Sequence, residues 1–88
     1  MDKLNDFSQL DFGKEKKKIG LRLKQIRKRQ GYTSHETFAY EIGFDRAQYG
    51  KYEAGSSNIT LGTLIKLLNK LQTRLSDFFN DDYDKIKV

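Results

Sequence analysis

Apolar positions along this chain recur at intervals of three and four residues, and no stretch alternates as a strand would. Over 14–30, Ile19, Leu23 and Ile26 repeat at i, i+4 and i+7 with Lys and Arg between them, which predicts a first helix closed by Gly31; Leu21 lies off this stripe. A second helix is predicted over about 34–42, with Phe38, Ala39 and Ile42 on one face. Thr33 or Ser34 is its cap, and Thr33 and Glu36 have capping-box spacing. Asp45 opens a third helix over about 46–53, with Gln48 repeating the box, Tyr49 and Tyr52 sharing a face, and Gly55 ending it. A polar loop, Ser56-Ser57-Asn58, leads to a fourth helix that starts at Thr60 and carries Leu61, Leu64, Ile65, Leu68 and Leu71. A last short helix starts near Ser76 with Asp77, Phe78 and Phe79. Proline is absent, and the fold class is all-α. The chain divides into an N-terminal extension, 1–13, either disordered or docked through Phe7, Leu10 and Phe12; one domain, 14–80; and an acidic and mixed tail, 81–88.

The most informative stretch is 35–54, two short helices hinged on Gly43. Short helices pack at a steep angle only if their contact residue is small and the turn residue tolerates unusual φ. Ala39 and Gly43 meet these needs, as in a helix-turn-helix unit that lays its second helix in the DNA major groove.

Charge supports a polyanionic partner. The net charge is +5 over 88 residues, a length that fits one domain with a thin core. The basic residues crowd 14–29, and Asp77, Asp81, Asp82 and Asp84 crowd the other end, which orients the molecule electrostatically relative to DNA. Cysteine is absent and His35 is the single histidine, so no metal set is expected. No Gly-rich phosphate loop and no nucleophile–base pair stands out, so neither an enzyme, a cofactor nor a small-molecule ligand is expected. No apolar run reaches membrane-spanning length, the N-terminus is unlike a signal peptide, and a cytoplasmic location is the default expectation.

Four motifs carry a resemblance. They are Leu23-x-x-Ile26-Arg27 ending at Gly31, Phe38-Ala39-x-x-Ile42-Gly43-Phe44, Tyr49-x-x-Tyr52-Glu53-x-Gly55 and Thr60-Leu61-x-x-Leu64-x-x-Leu67-Leu68. Ile19 to Phe79, roughly two thirds of the chain, resembles the Xre-type helix-turn-helix family of phage repressors and Cro-like regulators. It is also similar to the controller proteins of restriction–modification systems. The resemblance implies a five-helix, phage-repressor-like DNA-binding domain with the helix-turn-helix at helices two and three. Three features depart from the pattern: a loop before helix two that is one residue longer, His35 where many relatives carry Gln, and Gly50 within the recognition helix.

Carried over, the resemblance implies base reading by Arg46, Ala47 and Lys51, with Gln48 close by. Arg46 suits guanine O6 and N7, Gln48 suits adenine, Ala47 suits a thymine methyl, and Lys51 suits guanine or a phosphate. His35, Ser56, Ser57, Asn58, Thr60 and Lys18 are phosphate candidates, the helix N-termini adding free N–H groups. Gly50 is either a packing compromise or a place of close approach to the sugar-phosphate backbone. The family also implies an ion pair between Arg27 and Glu53, structural first, and a two-fold contact through the last helix. Leu71, Leu75, Phe78 and Phe79 exceed what so small a core needs, which favours a homodimer. The expected function is a sequence-specific, double-stranded-DNA-binding transcriptional regulator, a dimeric repressor or controller. The rival is an antitoxin-like protein-interaction module on the same fold, supported by the N-terminal aromatics and the acidic tail.

Overall fold

The structure, a computed structural model, describes residues 10–88, all of whose regular elements are helices. In chain order these are α1 Phe12–Arg29, α2 His35–Glu41, α3 Arg46–Ala54, α4 Leu61–Lys70, α5 Leu75–Phe78 and α6 Asp81–Asp84. Residues 1–9, Phe7 among them, lie outside the described residues, while Leu10 and Phe12 are exposed.

Each long helix starts and stops where its capping chemistry dictates. Asp11 accepts the Lys14 N–H and starts α1 at Phe12, two residues before the start at 14 that the sequence predicts. Ser34, not Thr33, caps α2 by accepting from Glu36 and Thr37. Asp45 caps α3, and Thr60 caps α4. At the other ends, α1 to α4 all close with paired N–H bonds to the third and second carbonyls from the end, as in Phe44 N–H to Ala39 O at 2.8 Å and Gly43 N–H to Tyr40 O at 3.2 Å. This closure needs a left-handed residue, supplied by Gly43 at φ 73° in the helix-turn-helix and by Gln72 at φ 53° after α4.

The core joins Leu23 and Ile26 of α1, Phe38 and Ala39 of α2, Tyr49 of α3, Leu64, Leu67 and Leu68 of α4, then Leu71 and Phe78. Phe38 sits between Tyr32 and Tyr49, with ring centroids 5.0 and 5.2 Å away. Gly20 lets α1 and α3 touch backbone to backbone, since a Cβ there would collide with the carbonyl oxygens of Tyr52 and Glu53.

The structure alters three sequence expectations. The stripe on α4 splits: Leu64, Leu67, Leu68 and Leu71 turn inward, whereas Leu61 and Ile65 remain 65% and 40% exposed. Leu71 and Phe78 are fully buried, so of the four proposed dimer residues only Leu75 and Phe79 stand on the surface. The acidic tail is not wholly solvated. Asn80 caps α6, and Tyr83 is 7% exposed, with its hydroxyl donating to Glu15 Oε1 at 2.6 Å. A sixth, single-turn helix thus follows the five-helix body.

Candidate nucleic-acid interface

On α3, the two tyrosines turn inward and the two basic residues turn outward. Tyr49 is fully buried and Tyr52 packs on the core, while Arg46, Ala47 and Lys51 point to solvent. The first turn of α3 carries no acidic residue, and Asp45 uses its side chain on the Gln48 N–H at 2.8 Å.

Two devices fix α3 against α1. The Gly20 contact brings the backbones together. The second is the predicted ion pair: Arg27 Nε donates to Glu53 Oε2 at 2.7 Å and the terminal nitrogen Nη2 to Oε1 at 3.1 Å, while the other terminal nitrogen, Nη1, bonds Tyr32 O at 2.7 Å. The side chains are 3% and 8% exposed. Hydrogen bonding to Glu53 holds the Arg27 guanidinium above its ordinary pKa against the opposing pull of burial. The buried Tyr49 hydroxyl beside them has no hydrogen-bond partner among the described residues, and burial, then the Glu53 carboxylate, pushes its pKa far up.

The proposed phosphate residues separate into groups. His35, at the start of α2, lays its ring against α3: a Cβ added at Gly50 would stand 3.0 Å from His35 Nε2. Gly50 is therefore a packing feature, a notch that seats the imidazole. His35 and Gly50 line an open cleft of about 380 Å³ together with Lys17, Leu21 and Lys24 of α1. Ser57 is tied to the recognition helix, accepting from Gln48 Nε2 at 3.1 Å, so part of the Gln48 amide is engaged within the protein. The Thr60 hydroxyl is taken up by the Thr63 N–H and Oγ1, and the Ser56 hydroxyl faces Lys51 O at 3.4 Å. Asn58 is exposed.

Lys18 does not join this group. Its ammonium lies 4.5 Å from the Tyr83 ring centroid and 3.9 Å from Glu15, on the flank of α1 that meets α6. Lys17 and Lys24, two of the basic residues that crowd 14–29, occupy the α3 side instead. The signal was available, because Lys17, Gly20, Lys24 and Arg27 recur at helical spacing on one face of α1.

The notch makes a test possible. Replacing Gly50 with alanine should gain about 1 kcal/mol of helix propensity, yet the new methyl displaces His35. Gly50→Ala is expected to leave thermal stability nearly unchanged. In a His35→Ala background the same change should stabilise by about 1 kcal/mol. Equal effects in both backgrounds, measured by thermal melts, would show that the ring does not sit in the notch.

This exposed, doubly anchored helix behind a glycine-hinged partner defines a class: the chain belongs to the helix-turn-helix family, whose model matches residues 23–78, and is a DNA-binding transcriptional regulator. Among similar proteins, the control protein C.MunI of a Mycoplasma species is 38% identical over 64 residues, covering 73% of this chain and 86% of that protein. An SPbeta prophage-derived HTH-type transcriptional regulator of Bacillus subtilis, YonR, is 46% identical over 53 residues; the aligned part covers 60% of this chain and 48% of that protein. The crystal structure of the restriction–modification controller protein C.AhdI from Aeromonas hydrophila superimposes with a TM-score of 0.69 at 33% identity, over 80% of this chain and all of that one. Among the described residues, no helix is long and apolar enough to cross a membrane, and no cluster of His, Cys, Asp or Glu suits a metal ion.

Proposed function

We propose that this chain binds a palindromic operator as a homodimer and acts as a controller-type transcriptional regulator. The observation that carries the DNA half of this proposal is the unobstructed basic surface of α3, with Lys51 exposed opposite the fully buried Tyr49 and Arg46 exposed in the first turn. The same open face weighs against an antitoxin-like module that would use this fold for protein contacts alone. The names of C.MunI and C.AhdI support the controller role.

Arg46, Ala47 and Lys51 are the proposed base readers, with Gln48 contributing its free carbonyl side. His35 and the Ser56–Asn58 loop flank them toward the phosphates, and Lys17 and Lys24 extend that flank along α1. Dimerisation is assigned to an exposed apolar ridge. Ile65 and Leu75 line one shallow cleft between α4 and α5, and Leu61 and Phe79 lie one helical turn beyond each. Two-fold pairing there would set two recognition helices about one DNA turn, or 34 Å, apart.

Selection of bound sequences from a random duplex pool tests the proposal directly. The enriched site should be an inverted repeat. Arg46→Ala should cost about 1–3 kcal/mol in operator affinity and relax preference at one base position per half-site. Unchanged affinity and unchanged preference in both Arg46→Ala and Lys51→Ala would remove α3 from the interface.

A further inference from the structure

The family match ends at residue 78, and it begins at residue 23, well inside α1. Beyond these limits the two ends of the domain grip one another. We propose that Tyr83, held by Glu15 and Lys18 of α1, is a positioning residue for self-association. It fixes Phe79, and with it the α5 ridge, in the orientation in which a second copy of this chain docks. The proposal rests on the dimer reading above and deepens it.

The α5 helix has only four residues, too short to hold its own shape through internal hydrogen bonds. Its shape comes from α1. Arg22 is 1% exposed and donates to Asp77 O at 2.7 Å and to Phe78 O at 3.0 Å, satisfying carbonyls at the end of α5. Nη2, the nitrogen that bonds Asp77 O, also donates to Asn80 Oδ1 at 3.2 Å, and that oxygen in turn accepts from the Asp82 N–H at 3.0 Å to start α6. No carboxylate lies within ion-pair distance of Arg22 among the described residues, so this buried cation is held by carbonyl and amide oxygens alone. One guanidinium therefore sets both the end of α5 and the beginning of α6.

The Tyr83 ring completes the circuit. Its hydroxyl donates to Glu15, the Lys18 ammonium covers the ring, and its centroid lies 4.9 Å from that of Phe79 at an interplanar angle of 75°. Phe79 also meets Phe78 edge-on at 4.8 Å, and Phe78 lies 6.3 Å from Tyr83, so the three rings form one cluster. Phe79 is nevertheless 43% exposed. A half-exposed aromatic side chain ordinarily samples several rotamers. Two edge-on neighbours hold this one in place, so its ordering cost is met before a partner arrives. Tyr83 is itself buried and acts through Phe79 and through Phe78, whose ring it also meets.

Sedimentation equilibrium of the full chain tests this, with circular dichroism reporting the fold and a single half-site duplex reporting protomer function. Tyr83→Ala should raise the dimer dissociation constant by about tenfold or more, the scale of losing an aromatic pair and a buried hydrogen bond together. Tyr83→Phe should raise it about threefold to tenfold, and Glu15→Gln about twofold to threefold, with half-site affinity unchanged in both. These two variants keep the ring and carry the test if Tyr83→Ala unfolds. Wild-type dimerisation in Tyr83→Phe and Glu15→Gln, alongside monomeric Leu75→Ala and Phe79→Ala, would overturn the positioning role. So would a drop in melting temperature with no change in dimerisation. If Leu75→Ala and Phe79→Ala themselves remain dimeric, the ridge is not the dimer surface and the underlying reading fails instead.

Discussion

Glu53→Ala is expected to destabilise the domain by about 3–5 kcal/mol, the cost of leaving a buried charge without its partner. The Arg27 guanidinium would keep its bond to Tyr32 O but lose both bonds to the carboxylate, in a site where it is only 3% exposed. The buried Tyr49 hydroxyl next to it cannot replace the carboxylate, because burial raises its pKa and keeps it neutral. Single domains of this size are stable by about 5–15 kcal/mol, so the loss should consume much of the total. Glu53→Gln, which can still accept one hydrogen bond, should lie between. Urea denaturation followed by circular dichroism measures these differences, and a loss below about 1 kcal/mol for Glu53→Ala would show that the pair contributes no more than an exposed salt bridge. The fault should also spread to DNA binding, because Glu53 is on the recognition helix and this pair is one of its two fixings to α1.

The second large effect is in salt. Four to six phosphate contacts per protomer, drawn from the α1 flank, His35, Lys51 and the Ser56–Asn58 loop, predict a log–log slope of operator affinity against salt of about −4 to −5 per protomer. A dimer would then lose about five orders of magnitude between roughly 50 and 200 mM salt. Lys24→Ala should flatten the slope by about one per protomer, since Lys24 lies in the cleft beside His35. Lys18→Ala should not, because Lys18 is over Tyr83 on the other flank. Filter-binding or anisotropy titrations across that salt range decide the matter, and a slope near zero would exclude the electrostatic footprint.

The contrast between Lys18 and Lys24 shows where a sequence stops being informative. A run of basic residues on a helix is visible in the chain, but which flank of the helix meets the next element depends on how α1 packs. Gly20 settles that packing by admitting the α3 backbone, and so turns Lys17 and Lys24 toward the interface. Gly50 is similar. In one dimension it is a costly residue within a helix, and only the position of His35, fifteen places earlier in the chain, explains it.

The sequence by itself determined the four long helices, the caps at Asp45 and Thr60, the hinge at Gly43 and the exposed face of α3, because all of these depend on neighbours within about one turn. It also placed Arg27 opposite Glu53, though only through resemblance to a family. Only the tertiary structure decided which apolar residues are surplus. Leu71 and Phe78 vanish into the core, whereas Leu61, Ile65, Leu75 and Phe79 stay outside it. Only the tertiary structure, too, revealed Arg22 as an interior residue and Tyr83 as an anchor. Arg22 lies three residues after Ile19 and four before Ile26, within the apolar stripe, but a charged side chain gives no local sign that it will be buried. Three of its four oxygen partners lie more than fifty residues away. Burial of a charge is decided by whether distant backbone groups can replace water around it, and that is a property of the folded chain alone.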